Sequence, residues 1–359
     1  MLAEGMVVKR GSARGGIIVG TLRLFLALTV MVFHLGVPIW GLNYGVSSVV
    51  VFFIISGYAI AGLIRSHYKK LKFMPAFFAD RMLRLYPQFF MYFISYIVIG
   101  RAFNITDAYF HLDCSAFGYA INLAIIPLDY WEFFANETFK RCMVISQSWT
   151  VGLELQIYVA LAAVLLGGHL RKFFVASFFL FIIGLFNYFS CKWFIYVSVP
   201  PTFFIFICGS LILSAKKPDF LIVVTCWVFC VFGLIVIYFF PMHTVFLAAE
   251  ILLGIVLGLP ALLYVSKLRP SALDGTLGSM SYGVYLNHMI VILAVRKFST
   301  FAQGGFLEAS IAILIACLAA WLSYRFVEFP VTIWRRRRRS SAIEVTLAPI
   351  REPTTYTGR

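Results

Sequence analysis

The stretch GIIVGTLRLFLALTVMVFHLG, residues 16–36, is an apolar run that contains two ionisable side chains, Arg23 and His34. Its 21 residues would form a helix about 32 Å long, which matches the roughly 30 Å hydrocarbon thickness of a bilayer. Ionisable groups at membrane depth are costly and usually face the protein interior or a wet cavity. The stretch therefore predicts a membrane-spanning helix that carries functional residues.

Similar apolar runs recur along the chain of 359 residues, of which 62% are hydrophobic and only 13% are charged. Soluble domains have roughly 45–50% apolar and about 25% charged residues, so this composition excludes an ordinary soluble enzyme. We expect an all-α polytopic membrane protein with about ten transmembrane helices. The predicted spans are 16–36, 45–64, 86–103, 150–168, 173–190, 194–214, 219–240, 243–264, 281–298 and 306–327.

The basic residues predict the orientation of these spans. They precede the first span, occupy alternate loops and follow the last span as RRRRR, so the positive-inside rule places both termini in the cytoplasm. We expect a basic N-terminus (1–15), one transmembrane domain (16–334) and a basic, disordered tail (335–359). The net charge is +15, and the basic residues responsible for it lie beside the predicted spans. Lipid headgroups rather than nucleic acid are therefore the expected partners.

The longest loop on the opposite side, 104–149, contains Cys114 and Cys142. In an oxidising periplasm these two cysteines can form a disulfide, and two unpaired thiols are the alternative. No CxxC or comparable ligand spacing occurs in the sequence, so no metal site is expected.

Arg23 and His34 lie 11 residues apart, which on a helix is a rise of about 16 Å and an azimuthal difference of about 20°. The two side chains therefore share one helix face, with Arg23 near the cytoplasmic end and His34 near the other end. This placement favours a cleft that runs through much of the membrane. The alternative is that Arg23 extends to the headgroups and His34 lies at the opposite interface.

The second span and the loop after it contain two further patterns. Ser56 and Gly57 interrupt a bulky apolar run and predict a close backbone approach or a local kink. Arg81 and Arg84 would project from neighbouring positions of a helix, and their guanidinium geometry suits phosphate. Ordinary positive-inside charge is the alternative for these arginines. Pro87 is expected to mark the entry to the third span.

Three more polar positions lie in or beside later spans. Glu154 follows the start of the fourth span by about one turn, where a carboxylate can orient a histidine and stabilise its protonated form. His288 is expected in the cytoplasmic half of the ninth span. Arg325 and Glu328, at i and i+3, are expected to pair with each other.

In combination, these features resemble the membrane acyltransferase-3 family, the integral-membrane O-acyltransferases of bacterial surface carbohydrates. The resemblance covers about residues 17–334. The sequence departs from the family pattern at Asn287, where an aromatic residue often precedes the histidine, and at Gly152, where serine is usual. The matching motifs, in chain order, are Arg23 with His34, FFIISGY (52–58), RMLRLYP (81–87), WTVGLELQIY (149–158), SYGVYLNH (281–288) and YRFVEFP (324–330).

The resemblance implies that acetyl-CoA from the cytoplasm is the co-substrate and that no cofactor is bound permanently. The acceptor would be a carbohydrate or lipid-linked glycan, and the location the inner membrane of a bacterium. By position, His34 would be the catalytic base, and Glu154 would hold its ring. Arg23, Arg81 and Arg84 would bind the acyl donor.

Proteins of polysaccharide assembly are further expected partners. A rival interpretation is a transporter or flippase that uses Arg23, His34 and Glu154 as a proton relay, although no two-fold repeat is evident. A family member without chemistry, acting only in assembly, is a third. The positions expected to support the site are Ser56, Gly57, Tyr282 and His288.

Overall fold

The computed structural model describes residues 19–37, 41–105, 107, 110–130, 142–186, 193–214, 216–240, 247–269 and 271–335. These residues form a bundle of helices, with one two-stranded antiparallel sheet in a loop. The predicted N-terminal segment 1–15 and all but the first residue of the predicted tail lie outside the described residues.

The helices are α1 (Val19–His34), α2 (Tyr44–His67), α3 (Met74–Ala102), α4 (Ala116–Ala124), α5 (Trp149–Leu166), α6 (Leu170–Leu185), α7 (Phe194–Val197), α8 (Val199–Ser214), α9 (Lys217–Phe239), α10 (Ala248–Val265), α11 (Ala272–Phe298) and α12 (Phe306–Ser323). Strands β1 (His111–Leu112) and β2 (Cys142–Met143) pair antiparallel. Short 3₁₀ segments lie at Leu71–Phe73, Ile126–Tyr130 and Ser146–Ser148. A π-helical turn, Tyr324–Glu328, extends α12 toward Arg335.

A helix lies in each predicted span, and the all-α polytopic class is confirmed. Within the described ranges, seven helical segments are long and apolar enough to cross a membrane. Helices α1 and α8 are also apolar but have only 16 residues each. The count of ten spans and the cytoplasmic location of both termini stay predictions.

The third span begins earlier than predicted. Helix α3 has Pro75 in its first turn, where the missing proline N–H removes no intrahelical hydrogen bond. Pro87 lies inside α3 and does not begin the helix, and its place at the entry to the membrane stays a prediction. Because α3 is continuous through this region, Arg81 and Arg84 lie on one helix at neighbouring surface positions.

The N-terminus of α1 is held by a carboxylate from the first turn of α11. The backbone N–H groups of Gly20 and Thr21 donate to Asp274 at 3.1 and 2.8 Å, and the Thr21 hydroxyl donates at 2.9 Å. A carboxylate at this end satisfies otherwise unpaired N–H groups and favours the helix dipole. A Cβ on Gly20 would lie 1.8 Å from the Asp274 carbonyl oxygen, so only glycine fits. This contact fixes the position of α1 along the axis of the bundle, and hence the position of Arg23.

A second close approach joins α2 to α8. A Cβ on Gly57 would lie 1.9 Å from the carbonyl oxygen of Phe206, and a Cβ on Gly209 would lie 2.0 Å from that of Ile54. The Ser210 hydroxyl donates to the Gly57 carbonyl at 3.1 Å. The sequence pattern at Gly57 therefore reflects a close backbone approach, and α2 continues through it as an α-helix.

The loop 104–149 contains the disulfide between Cys114 and Cys142, so the alternative of two unpaired thiols is wrong. Buried Asn122 on α4 organises the segment around it. Its side-chain amide donates to the Cys142 carbonyl at 3.0 Å and accepts from the Val144 N–H at 3.1 Å. The loop is therefore tied together covalently and by hydrogen bonds where it approaches the bundle.

The same loop packs a buried carboxyl, Asp129, against α5. Gln156 donates to one Asp129 oxygen at 2.8 Å, and the other oxygen has no hydrogen-bond partner among the described residues. Burial raises the pKa of Asp129 to about 8, and the Gln156 hydrogen bond opposes this only in part. Gly152 makes the approach possible, because a Cβ there would lie 2.8 Å from the Ile125 carbonyl oxygen. A larger side chain at position 152 would overlap this backbone.

We expect Gly57→Ala to lower the unfolding temperature, because the added methyl group would overlap the Phe206 backbone. Overpacking of this kind costs about 1–3 kcal/mol. Gly62→Ala on the same helix is the matched control, since its Cβ would meet only a flexible Leu213 methyl group at 3.6 Å. The measurement is thermal unfolding in detergent. Equal unfolding temperatures for the two variants would contradict the close contact.

Replacing both Cys114 and Cys142 with serine should lower the free energy of unfolding by about 2–4 kcal/mol, as is typical for loss of a disulfide. Reductant should destabilise the wild type by a similar amount and leave the double variant unchanged. Cys317→Ser, at a free cysteine, is the control. A wild type whose thermal unfolding is insensitive to reductant would refute the bond.

Asp129 should contribute a loss of stability as the pH rises from 5 to 8. The pKa of an aspartate in an unfolded chain is about 3.9, so across this window folded Asp129 retains a proton that the unfolded chain has released. Asp129→Asn should remove this component of the pH dependence, whereas Asp113→Asn, at an exposed position, should not. Parallel unfolding-temperature profiles of the wild type and Asp129→Asn between pH 5 and pH 9 would exclude the raised pKa.

Candidate functional site

A cavity of about 570 Å³ lies beside His34, within the roughly 300–1,000 Å³ typical of small-molecule sites. Its walls come from α1, α2, α5, α11, the residues around α7 and the end of the loop. They are rich in aromatic rings and include two amide side chains. The aromatic and amide residues lining it are Phe33, Asn43, Gln147, Trp149, Trp193, Tyr196 and Tyr285.

His34 faces this cavity and stacks on a second histidine. The rings of His34 and His288 lie 5.2 Å apart between centroids, with 29° between their planes. His34 is exposed to the cavity, whereas His288 is fully buried behind it. Because α11 begins at Ala272, His288 lies past the midpoint of its helix, whereas the predicted span 281–298 placed it in the first half; which half is cytoplasmic stays a prediction.

The buried histidine has a fixed tautomer. His288 Nδ1 lies 2.8 Å from the carbonyl oxygen of Tyr285, and because a carbonyl can only accept, Nδ1 carries the proton. Nε2 is buried and has no hydrogen-bond partner in the part of the chain that is described. His288 is therefore placed to hold the His34 ring from behind, without reaching the cavity itself.

A smaller pocket of about 50 Å³ lies next to this cavity and contains Arg23. It also contains Glu154 and Tyr282. Val49 and Tyr285 line both spaces, so the pocket and the cavity meet at these two side chains. The two spaces are therefore adjacent, and the shared face of Arg23 and His34 contributes a residue to each.

Glu154 belongs to the Arg23 pocket and does not hold the His34 ring. One of its carboxylate oxygens accepts a short hydrogen bond from Ser56, and the other accepts from Tyr158 at 3.1 Å. The predicted contact between Glu154 and His34 is therefore replaced by the stack of His34 on His288. The sequence correctly predicted that Glu154 lies about one turn into its helix. At that position, however, its side chain lines the Arg23 pocket and not the cavity beside His34.

Both arginines of the RMLRLYP motif are paired with carboxylates. Arg81 bonds to the adjacent Asp80 at 2.5 Å, and Arg84 forms an ion pair with buried Glu328. The prediction that Arg325 pairs with Glu328 is wrong. The π-helical turn directs buried Glu328 toward α3 and leaves Arg325 exposed, with its guanidinium 5.5 Å from the Phe329 ring centroid.

Asp80 also binds the first arginine of the RRRRR run. Arg335 Nε and its terminal nitrogen each donate to an Asp80 oxygen at 3.2 Å, and both side chains are buried. Arg335 is thus part of the folded domain and not of the predicted tail. Arg84 lies within electrostatic reach of Arg23, Arg81 and Arg335, so four guanidiniums share this end of the bundle.

Two of these arginines retain unused donors. Arg23 Nε and Arg81 Nε are buried and make no hydrogen bond within the described residues. Buried donors in proteins are nearly always paired, so the cluster is prepared for an additional acceptor such as a phosphate oxygen. Tyr282 also lines the Arg23 pocket. Its hydroxyl donates to the Leu85 carbonyl on α3 at 3.3 Å.

Asn287, the other departure from the family pattern, points away from the site. Its amide donates to the Ala316 carbonyl at 3.0 Å and to the Tyr92 hydroxyl at 3.3 Å. The side chain joins α11 to α12 and α3, which is a structural role. The departure therefore does not disturb His288.

Sequence reasoning missed Gln147 and Tyr285. Gln147 donates to the Tyr96 hydroxyl at 2.9 Å and to the Leu286 carbonyl at 2.7 Å, which joins the end of the loop to α3 and α11. Tyr285, which separates the two spaces, shares a hydrogen bond of 2.8 Å with Thr150. Tyr285 lies in the quoted SYGVYLNH motif, but nothing in the sequence distinguished it from the other tyrosine there.

Among the residues that the structure describes, no group of three or more His, Cys, Asp or Glu side chains is placed to hold a metal ion. The chain was also compared with known proteins. A family model described as an acyltransferase domain matches residues 19–325, from α1 into the π-helical turn. Comparisons with curated proteins and with solved structures give no match.

Proposed function

The chain belongs to the acyltransferase-3 family and is a membrane acyltransferase, and on that premise we propose that it O-acetylates a surface carbohydrate. Acetyl-CoA would be the donor, and a glycan or lipid-linked glycan in the inner membrane of a bacterium would be the acceptor. The observation that carries this proposal is that Arg23 and His34 line two successive spaces that meet at Tyr285 and Val49.

In this proposal, the donor phosphates bind at the arginine cluster. The unpaired Nε donors of Arg23 and Arg81 support this, because phosphate oxygens would complete their hydrogen bonding. Asp80 and Glu328 keep the neighbouring guanidiniums in place while the donor is absent. The pantetheine arm would extend past Tyr285 toward His34, over the rise of about 16 Å between positions 23 and 34.

The acceptor would enter the cavity beside His34. Aromatic rings such as Trp149 and Trp193 offer faces for the apolar side of a sugar ring, and the amides of Asn43 and Gln147 offer partners for hydroxyl groups. The lining thus supports a carbohydrate acceptor. The disulfide in the adjoining loop supports an oxidising compartment at this end of the protein.

His34 would act as a general base. It removes the proton from the acceptor hydroxyl as that oxygen attacks the thioester carbonyl carbon. The C–S bond then breaks, and the departing CoA thiolate takes the proton from the imidazolium, so that the products are an O-acetyl ester and free CoA thiol. His288 would hold the His34 ring, and Glu154 would act in the donor pocket with Ser56 and Tyr158.

The test uses cells that lack the gene, complemented with wild type, His34→Ala or His67→Ala. His67 is an exposed histidine at the end of α2 and outside both pockets, which makes it the matched control. NMR of the surface glycans measures the acetyl signal that mild alkali removes. We expect wild type and His67→Ala to restore the signal, and His34→Ala to lower it at least about 100-fold, as loss of a general base does.

Full acetylation by His34→Ala at equal protein level would refute the role of His34. If no acyl signal differs among the strains, surface-glycan acetylation is wrong. Solute uptake into vesicles would then test the transporter interpretation.

A further inference from the structure

A third concave site lies apart from the two pockets, at the ends of α2, α5 and α8 and the starts of α6 and α9. This basic groove has a volume of about 630 Å³ and shares no lining residue with the His34 cavity or the Arg23 pocket. Its polar lining residues are Arg65, Lys69, His169, Arg171, Lys172, Lys216 and Asp219.

The charge of the basic groove is strongly positive. Five lysine and arginine side chains face one carboxylate, Asp219, which is itself buried. Asp219 accepts from Arg171 at 2.7–2.8 Å and from the Ser214 hydroxyl, so its charge is committed to holding Arg171 in place. Half of the Arg171 side chain stays exposed, which leaves a positioned guanidinium in the groove.

Exposed apolar side chains follow some of the groove's lining residues along the chain. The floor of the groove is aliphatic, including Leu165 and Leu166. Next in sequence to Lys172 and Asp219 of the lining, α6 exposes Phe173 and α9 exposes Phe220 and Leu221. These helices have outward apolar faces of the kind that contacts lipid chains. A ligand with a charged head and two hydrocarbon chains would match both surfaces at once.

We propose that the basic groove binds the phosphate headgroup of an anionic phospholipid. The Arg171 guanidinium, held by Asp219, binds the phosphate, the exposed lysines Lys69, Lys172 and Lys216 neutralise its charge, and the acyl chains lie along Phe173 and Phe220. A nucleotide is a poorer match, because the described lining contains no Phe, Tyr or Trp on which a base would stack. The groove shares no lining residue with the two pockets that we assign to acyl transfer.

The test measures lipid retained by the purified full-length protein, without turnover. Detergent-solubilised protein is incubated with an equal mixture of phosphatidylglycerol and phosphatidylcholine, and the bound lipid is counted by native mass spectrometry. The test variant replaces Lys69, Lys172 and Lys216 with glutamine. The matched control replaces Lys72, Lys267 and Arg269, which are exposed and outside the groove, so that both variants lose three charges.

We expect wild type and the control to prefer phosphatidylglycerol, and the groove variant to lose at least about tenfold of that preference, since each basic residue near an anionic lipid adds to its attraction. If the triple variant does not purify folded, Lys69→Gln and Lys216→Gln alone give the comparison. Equal preference in the groove variant and wild type would overturn the proposal. Displacement of phosphatidylglycerol by coenzyme A would also overturn it, because the groove would then belong to the donor site.

Discussion

A guanidinium buried in a membrane protein must be paired, and this requirement organises one end of the bundle. Removing a charge from water costs several kcal/mol unless a partner and hydrogen bonds compensate. Asp80 compensates two arginines and Glu328 compensates Arg84, which ties α3 to the end of α12. The same pairing leaves a few donors without acceptors. The charges that stabilise the fold therefore belong to the same cluster whose unpaired donors we propose for the donor phosphates.

Backbone contacts determine how the two successive spaces align. Asp274 holds the N-terminus of α1, and glycines let α1 touch α11 and α2 touch α8. Close-packed interiors transmit such constraints, because neighbouring helices cannot shift without overlap. The positions of Arg23 and His34 along the bundle axis, relative to Tyr285, thus follow from contacts that involve neither Arg23 nor His34. A membrane fold of this kind positions its polar groups through small residues at helix crossings.

Within the site, similar side chains have different environments. His34 faces the cavity, whereas His288 donates from Nδ1 to a backbone carbonyl and lies behind it. The Glu154 carboxylate accepts hydrogen bonds from Ser56 and Tyr158 in the Arg23 pocket. One histidine is therefore accessible to a substrate and the other is not. The distinction depends on burial and hydrogen bonding, which the residue types alone do not reveal.

The sequence by itself determined the helical class, the approximate positions of the apolar helices, the shared face of Arg23 and His34 and the family, because these follow from local hydrophobicity, helical periodicity and motif order. Only the tertiary structure decided which side chains contact each other. The chain separates Arg84 from Glu328, Asp80 from Arg335 and His34 from His288 by more than two hundred residues each. Neighbour rules such as i, i+3 pairing cannot find such contacts, and at Arg325 and Glu328 that rule failed because buried Glu328 pairs with Arg84 while Arg325 stays exposed. Which groups meet is a property of packing between helices.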